Sequence, residues 1–133
     1  MSIFAFKTDA ADVGVDMTIR NPATGLPMDG ETITLLGRDS KVYRDHVARR
    51  ERALLDHVNN TRKAPKLSHD QIKHQAIEDL VILTTGWNLT SEDGQPLPFS
   101  KEAARDIYAA HEMAWLREQV EEFVGDRANF LTA

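Results

Sequence analysis

Apolar and polar residues alternate in two stretches near the start of the chain. In VGVDMTIR the apolar positions fall two apart from Val13 to Ile19, and in ETITLLG Ile33 and Leu35 face together. The segment between them, NPATGLPMDG, is rich in turn dipeptides. The pattern predicts a β-hairpin over residues 13–37. Two strands alone are marginally stable in water, so the hairpin must pack on helices or gain strands from another chain.

Beyond Gly37 the apolar spacing changes to the period of helices. Asp39 or Ser40 supplies an N-cap for a helix that we expect to continue to about Arg62. The Ala-Pro dipeptide ending at Pro65 terminates this helix, because the residue before a proline is disfavoured in helical conformation.

Three further helices are predicted downstream. Ser68 and Gln71 fit a capping box, and the strongly apolar helix that they open is expected to stop at Gly86. Ser100 caps a short third helix, and a fourth begins near Trp115. The sequence therefore predicts an α+β fold, an N-terminal β-hairpin followed by about four α-helices in a small, mostly helical domain.

The 133 residues of the chain are enough for one domain with one core. We expect a single domain over 1–133, with 1–12 loosely ordered, the β-hairpin over 13–37 and the helical part over 39–131. The segment GWNLTSEDGQPLPFS, residues 86–100, has no period of its own. A loop of this length in a small domain is usually functional or disordered, so it is a candidate binding element.

The amino-acid composition excludes cysteine-based sites and argues against a membrane protein. The chain contains no cysteine, which excludes disulfides, thiolate nucleophiles and cysteine-ligated zinc. It has no apolar run near the roughly 20 residues of a membrane helix, and its first residues do not resemble a signal peptide. We therefore expect no membrane association.

The net charge of −5 is unevenly distributed. Residues 41–66 hold eight Lys/Arg against three Asp/Glu, whereas residues 67–133 hold five against twelve. Surfaces of opposite sign can associate head to tail or contact a polar partner, although two solvated helix faces would give the same pattern. Direct nucleic-acid binding is not expected, because the basic stretch lacks interleaved aromatics and the rest of the chain is acidic.

No motif in the sequence specifies a reaction. His74 and Glu78 are spaced to share a helix face and could hold a metal, but no third ligand with supporting spacing is visible, and a surface pair is the simpler interpretation. We predict a protein that is not an enzyme and has no metal and no cofactor.

Large apolar side chains lie in or beside the segments without regular helical period. They are candidates for a partner-binding surface, where aromatic anchors concentrate: Trp87, Leu97, Phe99, Trp115, Phe130 and Leu131. The alternative is that they fold back to cap the core. In segment 86–100, we expect Pro96 and Pro98 to hold an extended backbone, with Leu97 and Phe99 against the core and Trp87 near a partner.

Three motifs together resemble a known family. These are W-x-L-x-x-x-D-G-x-P-L-P-F-S from Trp87 to Ser100, WLREQVEEFVGDRANFL from Trp115 to Leu131, and the upstream ITLLGRDSKVYR. They resemble the tail assembly chaperones of long-tailed bacteriophages over about residues 13–131.

This resemblance implies a role in virion morphogenesis without catalysis. Such chaperones act in the cytoplasm of the bacterial host during infection or prophage induction. They bind the tape measure protein, keep it soluble and help tail tube subunits polymerise around it, and some form homo-oligomers. In many members a ribosomal frameshift makes a longer form, of which this chain would be the short one. The alternative is a structural tail or head-tail connector component, assembled through the free edge of the predicted hairpin.

Overall fold

The computed structural model describes residues 2–131, so Met1 and 132–133, the ends of the predicted single domain, lie outside the described residues. Its centre is a four-stranded antiparallel sheet in which chain order and spatial order agree. The strands are β1 (Val15–Arg20), β2 (Pro27–Leu35), β3 (Thr84–Thr90) and β4 (Pro96–Leu97).

Five α-helices occur in the described part of the chain. They are α1 (Ala10–Val13), α2 (Lys41–Thr61), α3 (His69–Leu83), α4 (Lys101–Ala109) and α5 (Ala114–Gly125). Short 3-10 turns cover Ile3–Ala5, His111–Met113 and Arg127–Phe130. Within residues 2–131, none of the helices combines the length and the apolar character required to cross a membrane.

The predicted fold class, an N-terminal hairpin followed only by helices, is wrong. Helix α3 ends at Leu83 and not at Gly86, and the chain continues directly as β3, which pairs with β2. Ile33 is opposite Trp87 in this pairing. The physical reason is that β2 offers a hydrogen-bonding edge, and the Thr-Thr-Gly-Trp sequence after α3 suits an extended strand against it.

Segment 86–100 is likewise a β-hairpin and not an irregular loop. Ser91 donates its backbone N–H to the Gln95 carbonyl at 2.8 Å, and the Asp93 carboxylate accepts from the Gln95 N–H at 3.1 Å. Gly94 has a φ of 82°, a conformation that glycine adopts without steric cost. The turn therefore reverses the chain so that β4 pairs with the end of β3.

The start of the first strand also differs from the prediction. Val13 belongs to α1 and is exposed, and β1 begins only at Val15, after Gly14 turns the chain with a φ of 103°. Ala11 is fully buried, and its carbonyl accepts the backbone N–H of Gly37 at 3.0 Å. Helix α1 is thus anchored where β2 leads toward α2.

The core lies between one face of the sheet and helices α3, α4 and α5. Its fully buried side chains come from strand, helix and C-terminal segments alike: Ile33, Leu35, Leu80, Leu83, Tyr108, Val120 and Phe130. Helix α2 contributes no buried residue. It is tied to α3 near its base by polar contacts, since both His46 and Arg50 contact the Asp79 carboxylate.

Beyond these contacts α2 and α3 project from the body as a two-helix extension. No residue from 51 to 76 is buried. We call this extension, residues 51–76, the helical arm.

Candidate functional site

An apolar groove opens beside β4 and is the site that best fits a binding function. Its volume is about 220 Å³. Strands β1 to β4, helices α4 and α5, and the turn between those helices all contribute to its lining: Ile19, Met28, Glu31, Leu89, Thr90, Leu97, Ile107, Met113, Trp115 and Leu116.

Leu97 is held at the groove by aromatic packing behind it. The indole N–H of Trp87 donates to the Leu97 carbonyl at 2.9 Å. The Trp87 ring also meets the Phe99 ring edge to face, with centroids 4.9 Å apart and planes at 88°. Both rings are partly buried and pack against the core. This pair fixes the short strand β4, which has only two residues of its own to hold it.

The start of α5 also lines the groove. Leu116 is buried beneath it, whereas Trp115 and Met113 are half-buried. Met28 lines the groove from β2. Methionine side chains are unbranched and polarisable, so they adapt to apolar groups of different shape. A groove built this way can accept a range of apolar side chains.

Glu31 is the one ionisable residue in the lining, and its carboxylate is held in place. It accepts hydrogen bonds from the Thr90 backbone N–H at 3.1 Å and from the Thr90 hydroxyl at 2.6 Å. Nearby, the Asn88 side chain donates to the Gly30 carbonyl at 2.7 Å. These bonds join β2 to β3 and give the apolar groove an acidic, ordered rim.

The junction between α3 and β3 supports the sheet side of the groove. Thr84 donates its hydroxyl to the Leu80 carbonyl at 2.7 Å and shares a 2.8 Å hydrogen bond with the Tyr108 hydroxyl. Burial raises the pKa of Tyr108 to about 12. The phenol is therefore neutral at physiological pH and acts as a structural hydrogen-bonding group.

A lysine closes the C-terminal end of α3. The Lys101 ammonium donates to the Val81 carbonyl at 2.9 Å and also to the Thr84 carbonyl. The last carbonyls of a helix lack partners within the helix, and a cation there is favoured by the helix dipole. Burial lowers the pKa of Lys101.

The six candidate partner-binding residues do not form one surface. Leu97 and Trp115 line the groove, and Trp87 and Phe99 support it from behind. Phe130 is only 2% exposed and packs against Phe123 with ring centroids 5.6 Å apart. Leu131 is exposed beside it at the end of the described chain. The partner-binding role of the set stays a prediction.

Sequence reasoning missed several lining residues. Met28 lies in the segment predicted as a turn, and the β1–β2 register shifts between Thr18 and Arg20, so simple alternation could not mark it. Met113 lies in the short turn His111–Met113, just before the predicted start of the fourth helix near Trp115. No local pattern identifies either residue, because the groove exists only after β4 and α5 come together.

The polar clusters elsewhere are ion pairs. Glu78, considered above with His74, forms a two-point contact with Arg105, which holds the pKa of the Glu78 carboxyl below its usual value. Among residues 2–131, no group of three or more His, Asp or Glu side chains is arranged to hold a metal ion.

Comparisons of the chain with protein-family models, with curated proteins and with solved structures return no match.

Proposed function

We propose that this chain is a phage tail assembly chaperone that acts without catalysis in the bacterial host cytoplasm. It would bind the tape measure protein and help recruit tail tube subunits. The observation that carries the proposal is the solvent-open apolar groove, which Leu97 and Trp115 both line. The motifs described above, which resemble that family, support the same role.

The groove has the chemistry needed to hold apolar side chains of a helical client. An amphipathic helix presents apolar residues at intervals of three and four, and such anchors typically insert into apolar grooves. At about 220 Å³ the groove holds only a small part of a helix, so each contact would be weak. Many copies along one long client would still bind through avidity, and each contact could be released as the tail tube assembles.

The alternative role, a structural tail or connector component, loses one of the observations that favoured it. It required the free edge of the predicted hairpin to accept strands from a neighbour. Strand β3 covers that edge of β2 within the same chain. Among the described residues, the outer strands are β1 and the two-residue β4.

Co-expression with the tape measure protein, which we expect the longest downstream reading frame to encode, tests the proposal. Wild-type chain should make that client soluble and co-purify with it. Leu97→Ser and Met113→Ser should each lower the co-purified client by about 10-fold or more, as loss of an interface anchor does. Leu26→Ser is the matched control, because Leu26 is an exposed apolar residue outside the groove and its loss should change nothing.

Thermal melting of each variant alone separates lost binding from lost folding. Two variants on different elements are used so that one unfolded variant does not end the test. If the client stays insoluble with the wild-type chain, and the chain is found in purified virions, the structural-component role replaces the chaperone role. Equal client binding by folded groove variants and Leu26→Ser would show that the groove is not the client site.

A further inference from the structure

Glu31 occupies a position of β2 where the strand pattern favours an apolar side chain. Ile33 and Leu35, which follow it on the same face of the strand, are both fully buried in the core. Gly30, with a φ of 80°, lies where the pairing of β2 with β1 changes register, so Met28 and Glu31 both line the groove. A carboxylate therefore lies where the core face of the sheet opens into the groove. Departures from the local pattern of this kind concentrate at functional sites.

The Glu31 carboxylate is held in position, but its charge is not paired. Each of its oxygens accepts one hydrogen bond from Thr90, from the backbone N–H at 3.1 Å and from the hydroxyl at 2.6 Å. A carboxylate oxygen can accept more than one hydrogen bond, so both oxygens keep acceptor capacity. Within residues 2–131, no Lys, Arg or His forms an ion pair with Glu31. Apart from Glu31 and Thr90, the lining of the groove is apolar.

We propose that Glu31 makes the groove select helical segments that carry a Lys or Arg one turn away from an apolar anchor. Positions three and four apart share one face of a helix, so the anchor can enter the groove while the cation contacts the Glu31 carboxylate at the rim. The aliphatic stem of such a cation can lie along the apolar lining. An acidic residue at the same place would be repelled by Glu31. This inference rests on the proposed use of the groove and specifies the chemistry of the client segment that binds there.

The expected preference for a cation is modest at one groove. Glu31 is half-buried, and ion pairs that remain in contact with water change an affinity by up to about 5-fold. Charges at the rim of a binding site act mainly on the association rate and on its dependence on salt. When many copies bind one long client, a small preference at each copy favours segments with the correct spacing over apolar segments without a cation.

An NMR titration with two synthetic helical peptides tests the proposal, and the indole N–H signal of Trp115 reports binding in the groove. Both peptides have about 18 residues and the same composition, alanine and glutamine with two leucines one turn apart and one lysine. In the first peptide the lysine lies one turn beyond a leucine, and in the second it lies on the opposite face of the helix. The first should bind about 3- to 5-fold more tightly at about 50 mM NaCl. This difference should shrink at about 500 mM NaCl, because salt screens exposed charges.

Substitutions at Glu31 then show whether this residue makes the selection. Glu31→Gln removes the charge but keeps an oxygen that can accept from Thr90, so it should bind the two lysine peptides equally. Glu31→Lys should prefer a third peptide, in which glutamate replaces the lysine beside the anchor. The matched control is Glu92→Gln, since Glu92 is exposed in the turn between β3 and β4 and does not line the groove. It carries the same change in charge and should keep the wild-type preference.

The outcomes separate this inference from the proposed use of the groove. If both lysine peptides shift the Trp115 signal and bind wild type equally, the inference is overturned and the groove remains an apolar binding site. If neither peptide shifts the Trp115 signal, the inference and the use of the groove are overturned together. A lysine preference that persists in Glu31→Gln would also overturn the inference. If Glu31→Gln only lowers the melting temperature and leaves the preference unchanged, Glu31 serves to join β2 to β3 and does not select the client.

Discussion

The hydrogen bond between Thr84 and Tyr108 gives a directional prediction. The Thr84 hydroxyl has one proton, and it is donated to the Leu80 carbonyl at 2.7 Å. The 2.8 Å bond between the two hydroxyls must then have Tyr108 as its donor. Both side chains are fully buried, so neither can exchange this bond for water. Removing the acceptor should therefore cost more than removing the donor.

The expected loss in the free energy of unfolding depends on which buried polar group each substitution leaves without a partner. Tyr108→Phe keeps the ring and leaves Thr84 bonded to Leu80, so it should destabilise by about 1 kcal/mol. Thr84→Val keeps the shape of the side chain but leaves a phenol donor buried without an acceptor, which should cost about 2–3 kcal/mol. The double variant removes both polar groups and should be more stable than Thr84→Val alone.

Urea denaturation followed by tryptophan fluorescence measures the four free energies of unfolding, and unchanged m-values would show that the comparison is valid. If Tyr108→Phe costs as much as Thr84→Val, or if the double variant shows the sum of the single effects, the assigned donor direction is wrong.

Alkaline titration gives a second measurement on the same residue. Because the folded pKa of Tyr108 is raised from 10.0 to about 12, its contribution to stability is present below pH 10.0 and is lost as pH rises toward 12. Tyr108→Phe should remove this part of the alkaline destabilisation. Identical curves of stability against pH for wild type and Tyr108→Phe in the alkaline range would contradict the raised pKa of Tyr108.

Two further predictions concern packing and acid stability. A Cβ at Gly37 would lie 2.7 Å from the Ala11 Cβ, so Gly37→Ala should lower the free energy of unfolding by about 1–3 kcal/mol. A Cβ at Gly86 would meet nothing within 4 Å, so Gly86→Ala is the control that should be tolerated. Thermal melting compares the two variants directly. The Arg105 hydrogen bond keeps the pKa of the Glu78 carboxyl below 4.5, so the stability that this pair contributes is present above pH 4.5 and is lost as pH falls. In an acid titration, Glu78→Gln should therefore lose stability less steeply than wild type. An equal slope of stability against pH in the two proteins would refute this.

Helix starts could be predicted from the sequence because their determinants are local. Ser40 accepts the backbone N–H of Tyr43 at 3.2 Å, and Ser100 accepts that of Ala103 at 2.9 Å. Ser68 and Gln71 form the reciprocal capping box. In each case donor and acceptor are three residues apart, so the residue types alone carry the information.

Strand β3 could not be predicted in the same way. Its partner strand β2 lies about 50 residues earlier in the chain, and the apolar run before β3 suits either a helix or a strand. Two local signals did favour a hairpin. Thr84, Thr85 and Trp87 are strand-forming residues, and the Asp-Gly turn at Gly94 follows them. The predicted helix up to Gly86 includes the first residues of this strand, and for that reason the predicted fold class is wrong.

The position of β3 also determines which kinds of surface remain for a partner. Once β3 covers β2, the outer strands of the described sheet are β1 and the two-residue β4, which pairs with Leu89 and Thr90 of β3. The groove beside Trp115 is instead a surface made by side chains. Binding through such surfaces depends on shape and charge, and it should respond to single side-chain changes that leave the strands intact. Strand addition would not respond in this way, because its affinity comes from the backbone.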